Sequence, residues 1–418
     1  MDHKTMDIEW IIYHLIHNDE DFTEAVLVID YYDNDVWERL LASLRRNSVL
    51  QKVRIERGET APTRIRSMEE IDELFQALAT NNHVLKELEL IGFAAFELGQ
   101  GRFFASFLQQ QQQHHHSSSS SLERMELQLV FGTLPSTIPQ AMATVQTLRH
   151  VQLDLLSSAP LQPLCQSPST VQTLTVECYE DVCFEDDHFL PMTTALCTLT
   201  SHLRSLDLEH IISANCLLGI VQVVKHNSTL EDLRFRYGNH GRKRRRRQLR
   251  STSSSSSLPL PLPSSSFETT NPNNNNNVDD GDDDDDDAIC QELIRAFLQN
   301  RQTSLKRFQN YNQTLVQVST QTQQLQLSML EQNYTLSLFQ LFRCDDDEVN
   351  HPRGDMYLRL NQHGRGLLLD ERNYPSTRTC WIDIMARHCH DLDCLYYYLC
   401  INPSLCKMED GTTAVDDK

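Results

Sequence analysis

His388-Cys389-His390-Asp391-Leu392-Asp393-Cys394 is the only dense cluster of metal-ligand residue types in the sequence. On a helix, His390 and Cys394 share one face, as do Cys389 and Asp393. A structural zinc site needs four converging ligands, usually from two spaced pairs. Cys380, Cys400 and Cys406 are further candidates, yet none forms a C-x-x-C pair. Spacing alone therefore reads as an amphipathic helix with incidental thiols, and metal or enzymatic chemistry in this segment is the alternative. His114-His115-His116, between glutamine and serine runs, reads as a low-complexity expansion. No G-x-x-x-x-G-K-[ST], strand-following G-x-G-x-x-G, G-x-S-x-G or H-E-x-x-H occurs. With only thirteen Gly in the chain, phosphate-cradling loops have little material. No catalytic residue, metal or cofactor is expected.

Charge is the stronger chemical signal. The 418 residues carry a formal net charge of -21. Such a surface disfavours nonspecific nucleic-acid binding, which requires neutralised phosphates, and favours basic partners. One segment runs the other way: Arg242-Lys243-Arg244-Arg245-Arg246-Arg247. It sits in a tract, 239–288, that continues with Ser253–Ser257, three Leu-Pro dipeptides, five Asn and six Asp. Nothing in that tract can build a core, so it reads as a disordered linker. Its seven Lys/Arg nearly cancel its nine Asp/Glu, leaving 30 positive and 49 negative residues, or -19, on the rest. The basic run suits a nuclear import receptor, or is neutralised by its own Asp run. The twelve cysteines at irregular spacing and the lack of a basic, apolar leader suggest an intracellular, reduced protein, cytoplasmic or nuclear. No stretch reaches the apolar length of a membrane-spanning helix.

The elements that would position these charges recur. Ten segments fit L-x-x-L-x-L, beginning at Val26, Leu50, Leu85, Leu122, Leu148, Val171, Leu203, Leu230, Leu305 and Leu336. Successive starts lie 23 to 37 residues apart, except for one gap of 75 that contains the linker. Helical spacing precedes most of them, as in Ile71, Leu74, Phe75 and Leu78 before Leu85. Asn47, Asn82 and Asn227 close three such helices, a residue type that tolerates the left-handed conformation common at helix ends. One unit cannot bury both its strand and its helix face, so stacked units must share a continuous core.

This pattern over residues 22–345, the linker apart, resembles the ribonuclease-inhibitor-like class of leucine-rich repeats. The resemblance implies an α/β solenoid: a curved horseshoe with a parallel sheet inside and helices outside. The expected organisation is 1–238 for a cap helix and repeats, 239–288 for the linker and 289–345 for the remaining repeats. Residues 346–406 form a C-terminal cap and 407–418 a disordered tail. In the cap, residues 356–369 read as a last edge strand, a turn and an apolar stretch. Trp381, Ile384, Met385, Leu392, Leu395, Tyr396 and Leu399 read as a helical apolar face. Leu360-Asn361, Gly364-Arg365, Trp381, Leu392-Asp393, Tyr397 and Asn402-Pro403-Ser404-Leu405-Cys406 resemble the C-terminal region of uncharacterised leucine-rich-repeat proteins from microalgae such as diatoms. That likeness implies no activity.

In each repeat the leucines point inward, so the residues two, four and six after the first leucine point to the concave side. Asp154, Glu177 and Glu209 should then form an acidic ladder with Asp207 beside it, and Arg234 and Arg236 should turn the next repeat basic. The expected function is a noncatalytic, monomeric interaction scaffold that docks a protein partner with a basic segment on this strip. A ubiquitin-ligase substrate adaptor is a further alternative, although the first thirty residues are short for an F-box-like module.

Overall fold

Stretches that alternate become strands, and stretches with helical spacing become helices, in the computed structural model. It describes residues 8–58, 66–81, 84–94, 97–98, 102–113, 122–155, 159–178, 186–198, 201–212, 214–237, 283–300, 303–310, 319–341, 352–362, 365, 386 and 390–401. The helices are α1 (Ile8–His17), α2 (Asn34–Arg46), α3 (Met68–Asn81), α4 (Arg102–Gln113), α5 (Thr137–Thr144), α6 (Gln162–Cys165), α7 (Asp186–Leu196), α8 (Ala214–His226), α9 (Asp283–Gln299), α10 (Thr320–Gln332), α11 (Pro352–Gln362) and α12 (Leu392–Ile401). The strands are β1 (Glu24–Val28), β2 (Lys52–Glu56), β3 (Glu87–Ala94), β4 (Arg124–Phe131), β5 (His150–Leu155), β6 (Thr173–Cys178), β7 (Ser205–Ile212), β8 (Asp232–Tyr237), β9 (Arg307–Asn310) and β10 (Leu338–Gln340). They form one open ten-stranded sheet in sequence order, every pair parallel. Each helix packs on the next along a single row. The result is an α/β solenoid-like arrangement with one continuous core. No helix among the described residues is long and apolar enough to cross a membrane.

Register follows the leucines. Leu88, Met125, Val151, Leu174, Leu206 and Leu233 occupy one row across β3–β8, and Leu90, Leu127, Leu153, Val176, Leu208 and Phe235 the next. All of them are buried. Because Leu206 is 0% exposed in the middle of the row, Leu206→Ala is expected to cost about 2–5 kcal/mol by opening a cavity. Urea denaturation measures it, and a loss below about 0.5 kcal/mol, the range of surface substitutions, would place the side chain in solvent.

The first unit departs from the expected register. Ala25 pairs with Val53 and Leu27 with Ile55, so the unit reads Phe22-Ala25-Leu27 and does not start at Val26. Val26 is 39% exposed. The run Ala25–Ile29 is apolar throughout, so alternation could not choose between its two faces.

The asparagines also work differently from expectation. Asn47 and Asn333 have extended backbones, with φ −73 and ψ 135 and with φ −93 and ψ 121. Their value lies in the side chain. Asn47 Oδ1 accepts from Leu50 N at 2.9 Å, and its Nδ2 donates to Leu15 O of the preceding helix at 3.1 Å. Asn227 repeats this with Leu230 N at 2.7 Å and Leu196 O at 2.6 Å. One amide thus satisfies a turn donor and an orphaned helix carbonyl of the neighbouring unit. Asn82 lies outside the described residues.

β8 pairs directly with β9, so the insertion interrupts the sequence and not the sheet. The expected linker ran to residue 288, but α9 begins at Asp283. Acidic residues are favoured in the first turn of a helix. Asp287 binds the Ser319 N–H at 3.0 Å and accepts from its hydroxyl at 2.9 Å, joining α9 to the start of α10. Gln109–Gln113 likewise belong to α4. His114–His116, residues 238–282 and the tail 407–418 lie outside the described residues.

The cap is corrected at two points. Residues 352–362 form a helix, not an edge strand. Tyr357, Leu358, Asn361 and Arg365 are buried at helical spacing, and Pro352 stands at the first position, where proline is tolerated. Asn361 Nδ2 donates to Leu336 O at 2.7 Å and Asn333 O at 2.9 Å, fixing α11 to the last unit. In α12 the buried residues are Cys394 and Tyr398, whereas Leu392 and Tyr396 are 75% and 71% exposed. The helix is apolar nearly all round, so spacing could not identify its inner face. Trp381, Ile384 and Met385 lie outside the described residues.

Candidate interaction surface on the helix-free face of the sheet

Inward side chains alternate with side chains on the face that carries no helices. On β2 and β3 that face neutralises itself. Lys52 lies 3.4 Å from Glu87 and 3.0 Å from Glu89, and Arg54 lies 2.5 Å from Glu56 and 3.7 Å from Glu89. The hydrogen bond to Glu89 is the main cause that raises the Lys52 pKa. Glu89 is 7% exposed, the most enclosed carboxylate on this face, and sequence reading missed it because its cations come from a different repeat.

Strands β5–β7 are different. Their outward positions are His150, Gln152, Asp154; Thr173, Thr175, Glu177; and Ser205, Asp207, Glu209, with no Lys or Arg. Asp154 pairs in register with Glu177, and Thr175 with Asp207. Gln128 Nε2 donates to Asp154 at 3.1 Å and Gln152 Nε2 to Glu177 at 3.1 Å. These amides orient the carboxylates without neutralising them. Partial burial raises the Asp154 pKa above the ordinary carboxylate value. Glu177 is raised by burial first, then by Glu209, Asp154, Glu126 and Asp207. Glu177 is therefore the centre of a five-carboxylate strip. Glu126, which the sequence reading omitted, joins it from β4 beside Arg124 at 3.6 Å.

Positive charge returns on β8. Arg234 lies 2.8 Å from Asp232 and 3.5 Å from Asp207, so it borders the strip and neutralises one side of it. Arg236 was expected to turn this repeat basic together with Arg234. Its backbone pairs in register with Ile211, because the β7–β8 register shifts between Leu208 and Ile211. Arg236 is exposed. Of the expected residues, the structure brings together Asp154, Glu177, Asp207, Glu209 and Arg234, and pairs Arg236 in register with Ile211, beyond Glu209. Arg242–Arg247 lie outside the described residues.

The cysteine and histidine cluster has structural duties where it is described. Asp391 pairs with Arg359 at 2.8 Å and accepts from Cys394 N at 3.1 Å, capping α12. The Cys394 thiol is pushed up to about 12, by burial first and then by Asp391, which opposes the thiolate that a metal requires. Among the described residues no three His, Cys, Asp or Glu side chains are grouped to hold a metal ion. His388, Cys389, Cys380 and Cys406 lie outside them.

A second charged group sits at the C-terminal ends of β1–β3. Buried Asp30 accepts from Gly58 N at 3.1 Å and lies 3.3 Å from Arg57, which reaches Glu97 at 2.9 Å. No protein-family model matches the chain, and no curated protein matches it either.

Proposed function

We propose that the chain is a noncatalytic interaction scaffold of the leucine-rich-repeat type. In this reading the sheet lines the inside of a ribonuclease-inhibitor-like horseshoe, and the strip on β5–β7 docks a basic segment of a protein partner. The observation that carries it is the contrast between neighbouring strands. β2 and β3 neutralise their own charges, whereas β5–β7 carry Asp154, Glu177, Asp207 and Glu209 and no Lys or Arg, and the cation that meets Asp207, Arg234 at 3.5 Å, comes from β8 at the edge of the strip. A raised carboxylate at the centre of like charges makes the fold less stable. Residues kept at a stability cost are characteristic of binding sites. Charge steering with a strong salt dependence is the expected mode of association.

The test uses a chain whose residues 242–247 are changed to Ser, so that its own basic run does not compete. Arrayed Lys/Arg-rich peptides are screened at low ionic strength. Selective binding is expected, and Glu177→Ala with Asp207→Ala and Glu209→Ala should weaken it by about tenfold or more, at least 1.4 kcal/mol. Equal binding by the triple variant at low salt would remove the strip as the site.

The same strip sets a pH dependence. Below the ordinary carboxylate value of 4.5, Glu177 is protonated whether folded or unfolded, so no cost arises. Above its raised folded value it is ionised in both states, and the folded chain bears the full repulsion. Glu177→Gln, which keeps the acceptor for Gln152, is therefore expected to raise the melting temperature at neutral pH. The gain over the parent should shrink as pH falls toward 4.5. A gain that is the same at both pH values would show that Glu177 ionisation is not its source.

A further inference from the structure

The strip lies at one end of its strands. Asp154 and Glu177 are the penultimate residues of β5 and β6, and Glu209 precedes the last three residues of β7. All strands are parallel, so the chain leaves β8 at Tyr237 on that same end, one strand away. Arg242 follows Tyr237 by five residues. Five extended residues reach up to about 17 Å. Neighbouring strands are about 4.8 Å apart, so β5 lies about 14 Å from β8. The six residues Arg242–Arg247 extend about 20 Å, enough to cross β7, β6 and β5.

We propose that Arg242–Arg247 docks on Asp154, Glu177, Asp207 and Glu209 of its own chain and occupies the strip as an intramolecular ligand that a partner must displace. The inference rests on the scaffold reading above and adds its regulation. Six cations that begin five residues after the end of β8 are complementary in charge to a strip that has no Lys or Arg of its own on three strands. The competing occupant is the chain's Asp run at 282–287, which begins 35 residues after Arg247. Effective concentration falls steeply with tether length, which favours the strip. Asp287 of the Asp run already accepts from Ser319 at 3.0 and 2.9 Å and from Gln291 at 2.9 Å.

Two measurements at low ionic strength decide it. A carbodiimide, which joins an amine to a carboxylate with loss of water, is applied to the full chain, and Lys243 products are mapped in the monomer. Amide links from Lys243 to Glu177, Glu209 or Asp154 are expected. Links only to Asp282–Asp287, or only between two copies, would overturn the proposal. Separately, a labelled peptide of residues 240–249 is titrated into the parent and into the chain with residues 242–247 changed to Ser. The Ser variant should bind it at least about tenfold more tightly than the parent, because its strip is vacant. Equal binding to both would overturn self-occupancy and leave the docking strip standing. Binding to neither would overturn both readings.

Discussion

Arg66→Ala is expected to lower the unfolding free energy by about 3–5 kcal/mol, the range for breaking a buried ionic network from one side. Arg66 is 2% exposed and ties three units together. Its guanidinium lies 4.5 Å from the Trp37 ring of α2. It donates to Ile29 O at 3.3 Å, to Tyr32 O, and to Asp33 O at 3.3 Å, carbonyls that follow β1. It also reaches Glu70 Oε1 at 2.8 Å. Glu70 and Ser67 form the reciprocal capping pair that starts α3, with Ser67 N to Glu70 at 2.8 Å and Glu70 N to Ser67 at 3.3 Å. The backbone N–H of Arg66 itself donates to Asp30 at 3.3 Å. Truncation would remove a donor from Ile29 O, Tyr32 O, Asp33 O and Glu70, of which Asp33 O keeps Trp37 N at 3.0 Å and Glu70 keeps Ser67 N at 2.8 Å, and each buried acceptor that loses its donor carries a desolvation cost. Arg66→Lys should recover less than half of the loss, because an ammonium has neither the planar fork nor the stacking face. Urea midpoints at constant slope measure both. A cost below about 1 kcal/mol, the level of an exposed ion pair, would mean that water replaces the guanidinium readily.

That network was not legible in the sequence, whereas the sheet largely was. Leu85-Leu88-Leu90 and its copies carry a period-2 signal flanked by helical spacing, and a buried stripe leaves that signature whatever the partner. The register failed where the signal is degenerate. Ala25–Ile29 is apolar at every position, and the pairing of Ala25 with Val53 and Leu27 with Ile55 turns those two residues inward. In α12, Leu392 and Tyr396 compete with Cys394 and Tyr398 for the inner face, and the contacts of Tyr398 decide it, including its hydroxyl at 3.3 Å from Leu360 O.

The site was half legible. Asp154, Glu177, Asp207 and Glu209 followed from counting positions after each first leucine, because position and face are coupled in a strand. Their neutralisation did not follow. Whether a carboxylate meets a cation depends on the register of the next strand. The shift between Leu208 and Ile211 pairs Arg236 with Ile211 in place of Glu209, while Arg234 stays 3.5 Å from Asp207. Glu126 and Glu89 went unnoticed for the same reason, since each belongs to a charge group assembled across strands.

Arg365→Ala is expected to release the C-terminal end of the solenoid. The Arg365 side chain is buried among three tyrosines, its guanidinium carbon 4.6 Å from the Tyr357 ring, 4.9 Å from Tyr334 and 5.4 Å from Tyr397. It donates to Leu330 O at 3.3 Å and Glu331 O at 2.5 Å, which lie in the last turn of α10, where carbonyls lack intrahelical partners. The residue thus caps one helix while its flat faces hold α11 and α12 against it. Charged hydrogen bonds contribute about 1.5–3 kcal/mol each and buried cation–π contacts about 2 kcal/mol. A local loss of about 3–5 kcal/mol is therefore expected for the Ala variant. In a solenoid each unit contacts only its neighbours, so the loss should remain at the end. Hydrogen exchange should accelerate across residues 352–362 and 392–401, with β5–β7 protected as in the parent. Exposure of Met329, Leu336 and Phe339 beneath the released helices should increase dye binding. Arg365→Lys separates the causes, because it keeps the charge and loses the stacking plane. Full recovery by Lys would assign the effect to charge alone. Unchanged protection of both segments in the Ala variant would show that the three tyrosines hold the cap without the arginine.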